Sequence, residues 1–495
     1  MGSTRTNMKV NVSPQFRILS EDQRETIFNG MMRTLCYTGA AVHHEGARKL
    51  FADAGCKVDK DGLTVYFPQE ITKQALSTLP VIFEIYPWDG NPDRKIVVER
   101  GRSYFGPGPT PPYFIDTDTL ERRKYLRKDA TTVAKVCDVL PNIGYVQSLG
   151  SISDVTNGLA DVYEFADMIR NTTTPIMSWS FGVEGCRDEH RMAIAMAGGE
   201  EEFRAKPNYI FYGEPISPLV SDFHAIDKCM YCAKHRIPQV YSPCAIGGGT
   251  VPATHAGQLV VALSESMVGV IASQLINPGT PIIVGGVQSI LDMRNSIYSY
   301  GAPELSLLSA GLTEMAHYCG LPMFSQSGCT DTKAMDTQSA IEAALSIHAA
   351  MLSGADFVHD NGYTESGKTG DVFQTVLDDE IIGMARRIEQ GIEVNEETMA
   401  LDIIKSVGPG GHYLYEDHTM KWFRKSFRPT LMERSSYEDW EANGCKTMKD
   451  RVIEKTRDIL ATHEGPRSKV PAEADQEIER ILEEAEARMA GQQAS

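Results

Sequence analysis

The chain has 495 residues, 42% apolar and 23% charged, which is globular composition and excludes a disordered protein. Its 66 acidic against 48 basic residues give a net charge of −18, and without a basic run no nucleic-acid partner is expected. The ten cysteines show no framework spacing, and there is neither an apolar leader nor a clean span of about 18 apolar residues, so a reducing, cytoplasmic protein without a membrane partner is expected.

Gly2 with Thr6 matches the myristoylation pattern, which is too loose to carry a lipid assignment. Residues 1–100 read as a mainly helical cap. Apolar residues recur at helical spacing over Glu21–Thr38, further helices are expected over Glu45–Ala54 and Gln69–Leu79, and Lys57–Phe67 reads as a hairpin turning at Lys60-Asp61-Gly62. From about residue 101 to 395, short β-rich runs alternate with helical stretches. Eight runs are visible: Ser103–Gly106, Gly144–Gly150, Ile176–Gly182, Asn208–Gly213, Pro238–Cys244, Pro281–Gly286, Met323–Ser327 and Asp356–Asn361. Parallel neighbours need crossovers, so this rhythm predicts an α/β fold, a (β/α)8 barrel of the triosephosphate-isomerase (TIM) kind. An open doubly wound sheet is the alternative, although no GxGxxG follows the first strand.

Within that region, Cys229 and Cys232 form a CxxC that reads as two thiols on one helical face, and Leu259–Ile276 as a buried helix. Residues 396–495 form a C-terminal helical extension. Met399–Val407 is a helix that stops at the glycines of 408–411, and Ile478, Ile481, Leu482, Ala485 and Met489 make a stripe for docking on the chain or on another subunit; a homo-oligomer is expected.

In a barrel, chemistry sits where the strands end. Trp179, Tyr212 and Phe357 gather there, and aromatic faces attract quaternary ammonium groups, each contributing about 0.5–2 kcal/mol. The other reading of these rings is barrel filling. No HExxH, Walker loop, GxSxG or metal-ligand spacing is present, so neither a nucleophile nor a bound metal can be named from spacing. The glycines at 247–249 and 408–411 suit tight turns or the close approach of a flat ligand.

The stretches NPGTPIIVGG (277–286), GAPELSLLSAGLTEMAHYCGLP (301–322), SGCTDTKAMDTQSAIE (327–342) and VNEETMALDIIKSVGPGGHYL (394–414) resemble the trimethylamine methyltransferase (MttB) family, a resemblance that runs to about residue 460. It implies a (β/α)8 barrel that passes a methyl group to the Co(I) of a corrinoid (cobalamin) carried by a separate protein. Founding members use pyrrolysine at a late strand. Here ordinary residues fill the corresponding segment, with Gln326, Gly328 and Cys329 nearest the position. Members without pyrrolysine act on quaternary amines, and glycine betaine is the leading expectation, with proline betaine, carnitine and γ-butyrobetaine as rivals. On this reading Trp179, Tyr212 and Phe357 form the cation cage, His348 or Arg294 holds the substrate carboxylate, and Glu214, Asp331 and Asp360 offset the ammonium charge. Other classes to separate are a methylamine enzyme using Cys329, a betaine-binding protein without chemistry, and an unrelated barrel lyase or isomerase.

Overall fold

The computed structural model describes residues 15–463, 465–466 and 470–493; Gly2 and Thr6 lie outside them. Its centre is a seven-stranded, all-parallel sheet. In spatial order the strands are Tyr104–Pro107, Phe357–Asn361, Met323–Gln326, Ile282–Gly285, Gln239–Tyr241, Tyr209–Gly213 and Ile176–Trp179. The order steps through the chain without reversing and places the first strand beside the last. A doubly wound sheet would reverse partway, so that alternative fails. The eighth expected run, Gly144–Gly150, forms no continuous ladder. Two single parallel bridges, Phe105 to Ile143 and Val146 to Ile176, set residues 143–146 between the sheet's two end strands.

Each strand is followed by a helix that packs on the outside of this curled sheet. The helix His255–Ile276 is the one described helix long and apolar enough to cross a membrane, but 78% of that stretch is buried, partly beneath the N-terminal helices Glu21–Arg33 and Gln69–Ser77. The helix Phe223–His235 carries Cys229 and Cys232 inward as unpaired thiols, and Cys232 Sγ lies 3.9 Å from that of Cys186.

The N-terminal region departs from the expected cap in three ways, the first being a strand, Ala40–Val42, that joins the expected hairpin to Val220–Ser221 in a small sheet. The helix expected over 21–38 ends at Arg33 and continues as a π turn over Thr34–Thr38. A second hairpin, Phe83–Ile85 with Ile96–Val98, follows the expected one. Its Ile85, Ile96 and Val98 join one buried cluster with Tyr104, Met177, Ile210, Val240, Ile283 and Phe357, all from the N-terminal halves of the sheet strands. The hairpin thus closes that end of the sheet, while the other end stays open.

At the C-terminus, the stripe of the helix Ala472–Gln493 is covered by this same chain. Ile478, Ile481, Leu482 and Ala485 are buried against the helix Val183–Ala197, flanked by the ion pairs Arg191–Glu484 (2.9 Å) and Arg170–Glu479 (2.7 Å). The subunit-contact reading of this stripe therefore fails: its apolar face is already used.

Candidate active site

A cavity of about 300 Å³ opens at the C-terminal ends of the strands. Trp179 and Tyr212 close adjacent strands and face each other in register. Tyr300 joins them from a loop and Tyr363 from the short strand Tyr363–Thr364, which follows Phe357–Asn361. Trp179 Nε1 donates to Glu164 Oε2 (3.0 Å), and the Phe181 ring meets the indole edge-on at 4.9 Å. The Tyr363 hydroxyl donates to the Pro109 carbonyl. Burial holds the phenols of Tyr212, Tyr300 and Tyr363 well above their usual range, so all are neutral rings.

Two carboxylates share the wall. The Tyr212 hydroxyl donates to Glu214 Oε2 (2.7 Å), and Glu214, open to the cavity but surrounded by protein, has its carboxyl pushed up by desolvation. Asp360 Oδ1 is 2.5 Å from His359 Nδ1, and the imidazole stacks on Phe324 at 4.0 Å. Neither His359 Nε2 nor Asp360 Oδ2 has a hydrogen-bond partner. Asp360 has φ +70°, a costly conformation for a non-glycine residue that concentrates at functional sites. A Cβ on Gly108 would lie 2.4 Å from Asp360 Oδ1, so only glycine lets the 106–110 loop pass here.

One cation enters the cavity. Lys228, from the helix Phe223–His235, donates from Nζ to the Ser180 carbonyl. Desolvation lowers its pKa, while the nearby Cys186, Glu189, Asp222 and Asp161 oppose that shift. Sequence reading missed Lys228, although it falls on the same buried stripe as Ala225, Cys229 and Cys232, where a buried lysine is unexpected.

The other expected site residues lie elsewhere. Phe357 is fully buried beneath the cavity, its ring 5.7 Å from Tyr145 and 6.0 Å from Tyr104, so it fills the sheet interior instead of facing a ligand. His348 sits half-buried on the outer helix Thr337–Ser353, away from the cavity wall. The Arg294 side chain is 89% exposed and bonded to Asp292 (3.0 Å), because its loop turns outward. Asp331 accepts from the Ser299 hydroxyl, Tyr300 N (2.7 Å) and the Ser366 hydroxyl (2.7 Å), and so holds Tyr300 in place without touching the cavity.

The segment expected at the pyrrolysine position also stands back from the cavity. Gln326 Nε2 donates to the Gln288 carbonyl (3.0 Å), and Gly328, at φ +70°, leaves no room for a Cβ beside Asn361. Cys329 is buried behind Tyr300, its Sγ 3.6 Å from that residue's carbonyl, and burial pushes the thiol well above its usual range. A neutral, enclosed thiol is a poor nucleophile. Among the described residues, no group of three His, Cys, Asp or Glu is placed to hold a metal ion.

Burial raises several further carboxyls: Asp161, Asp371 and Asp379 to about 6, Glu265 and Glu389 to about 7, and Glu164 to about 8. Their unfolded values are near 4, so the folded chain holds protons that the unfolded chain releases. The stability this gives is complete below pH 4 and is lost as pH rises through 6 to 8. The melting temperature is expected to fall by roughly 5 °C between pH 5 and pH 8.5, measured by calorimetry. A flat or rising profile would mean that these groups are ionised in the folded state.

A family model described as trimethylamine methyltransferase (MTTB) matches residues 2–490. The chain belongs to that family. Family membership also makes it an enzyme of the methyltransferase class. Trimethylamine methyltransferase MttB of Desulfitobacterium hafniense is 31% identical over 450 residues, covering 90% of this chain and 89% of the relative. Glycine betaine methyltransferase of the same species is 30% identical over 473 residues, covering 95% and 96%. Among solved structures, the monomethylamine methyltransferase MtmB of Methanosarcina barkeri aligns with a TM-score of 0.52 at 13% identity, covering 91% of this chain and 89% of that one. At that identity the likeness speaks for the fold alone.

Proposed function

We propose that the chain demethylates a small quaternary amine bearing a carboxylate, with glycine betaine the simplest fit and dimethylglycine the product. The carrying observation is the cavity's composition: four neutral aromatic rings and two carboxylates at one opening, with a single lysine in the wall. Rings and carboxylates suit an ammonium group, and the lysine suits a carboxylate. Glu214 and Asp360 offset the ammonium charge, and Lys228 takes the anchoring role expected of His348 or Arg294, neither of which lines the cavity. The sheet, with residues 143–146 bridging its end strands, reads as a closed (β/α)8 barrel.

The methyl acceptor on this reading is the Co(I) of a corrinoid carried by a separate protein, which supplies the nucleophile. This chain's residues bind and aim the substrate. A quaternary nitrogen departs as a neutral tertiary amine, so no side chain has to deliver a proton. The cavity needs to shield the nitrogen from water and turn one methyl toward the opening.

The test is methyl transfer to reduced corrinoid, followed by its absorption spectrum, with trimethylamine, glycine betaine, proline betaine, carnitine and γ-butyrobetaine as candidate donors. Transfer from one betaine but not from trimethylamine is the expected result, and Cys329→Ser should retain it. Transfer from trimethylamine alone, or loss of all activity in Cys329→Ser with the fold intact, would overturn the reading. Tight betaine binding without transfer would replace it with a binding protein.

A further inference from the structure

The end of the strand Ile176–Trp179 is gripped from behind. Four consecutive residues, 178 to 181, each bond to a different buried ionisable side chain. Ser178 Oγ donates to Glu189 Oε2 (2.7 Å), Trp179 Nε1 to Glu164 Oε2 (3.0 Å) and Phe181 N to Asp161 Oδ2 (2.9 Å), while the Ser180 carbonyl accepts from Lys228 Nζ. Asp161 and Glu164 lie three residues apart on the helix Ala160–Asn171, so they share the face turned to the strand end.

Trp179 is the member of this set that needs a fixed direction. Its ring is only part-buried, with one side on the cavity, so packing does not enclose it. The torsion that turns an indole about its bond to Cβ has broad minima. Two contacts settle it here: the Glu164 bond at the indole nitrogen, and the edge of Phe181 at 4.9 Å. Phe181 is itself 49% exposed, and Asp161 fastens its backbone. Burying a carboxyl is costly, and a Gln would supply an acceptor for one N–H without that cost. Glu164 does what Gln cannot. Its Oε1 accepts from Ile152 N (2.8 Å) while its Oε2 accepts from the indole, so one side chain ties the ring to residue 152. A Gln has one oxygen, and its NH2 group would meet the second N–H donor to donor.

We infer that Glu164 is a positioning residue for donor binding: it holds the Trp179 ring in place on the cavity wall and acts on the substrate only through that ring. The inference rests on the cation-binding role proposed for Trp179 and names what sets that ring's direction.

The test is a double-mutant cycle in methyl transfer. Glu164→Gln should raise KM for the donor betaine about 10-fold while kcat stays within about 3-fold, because the ring holds the bound cation more than the transition state. In the Trp179→Phe background no N–H remains to be held, and the same change should alter KM by less than about 2-fold. Glu164→Asp keeps the acid but is too short to reach both donors, and should behave as Glu164→Gln does. A ligand-free measurement runs beside the kinetics. In the nitrogen-15-labelled chain, the indole N–H signal that Trp179→Phe removes should move in Glu164→Gln, while those of the other tryptophans stay. Equal losses in the two backgrounds would make Glu164 a general prop of the fold. Unchanged KM, or an unmoved Trp179 signal, would show that it does not hold the ring. Each of these results overturns the inference alone, whereas a native chain that takes no quaternary amine would overturn the proposed function and this inference together.

Discussion

Trp179→Ala is expected to raise KM for the donor betaine about 30-fold while kcat stays within about 3-fold. The indole is the largest ring in the cavity, and a desolvated ring holds an ammonium by about 2 kcal/mol. Because positive charge leaves the nitrogen as the methyl departs, this attraction is strongest for the bound substrate and weakens toward the transition state. Removing it therefore costs binding more than turnover. Trp179→Phe keeps a face and should recover most of the loss. Steady-state kinetics of both variants decide the matter, and a fall in kcat with unchanged KM would mean that Trp179 positions the substrate and does not bind its charge.

Lys228→Met is expected to raise KM for glycine betaine by about 100-fold and to leave tetramethylammonium, which has no carboxylate, nearly unaffected. A charged hydrogen bond to a carboxylate contributes about 1.5–3 kcal/mol, and Met fills a similar volume without the charge. Calorimetric titration of the two ligands against both chains gives the comparison. Equal losses for both would show that Lys228 shapes the cavity through its contact with Ser180 and does not recognise an anion.

Both residues bear on how much could be read from sequence. The strand–helix rhythm is strong because each parallel strand requires a crossover, and each expected run from Ile176 onward lies on an observed strand. Trp179, Tyr212, Glu214 and Asp360 could be placed at the cavity because strand ends converge there. Phe357 opens its strand instead of closing it, and a shift of a few residues along a strand moves a ring from the mouth to the interior. Lys228, Tyr300 and Tyr363 come from a helix, a loop and a two-residue strand, the last two too short or irregular for a periodicity to say which residue turns inward. The hairpin at 83–98 was missed because three-residue strands leave too short an alternation to read.

That hairpin also bears on where the chain can be divided. Residue 100 looks like a boundary, since the sheet begins just after it, but Ile85, Ile96 and Val98 supply the floor on which the sheet's interior rests. A protein begun at residue 101 would expose Tyr104, Met177, Ile210 and Phe357 to water from below. The catalytic unit is therefore not separable from the segment before it, and during synthesis the floor leaves the ribosome before any wall it will support.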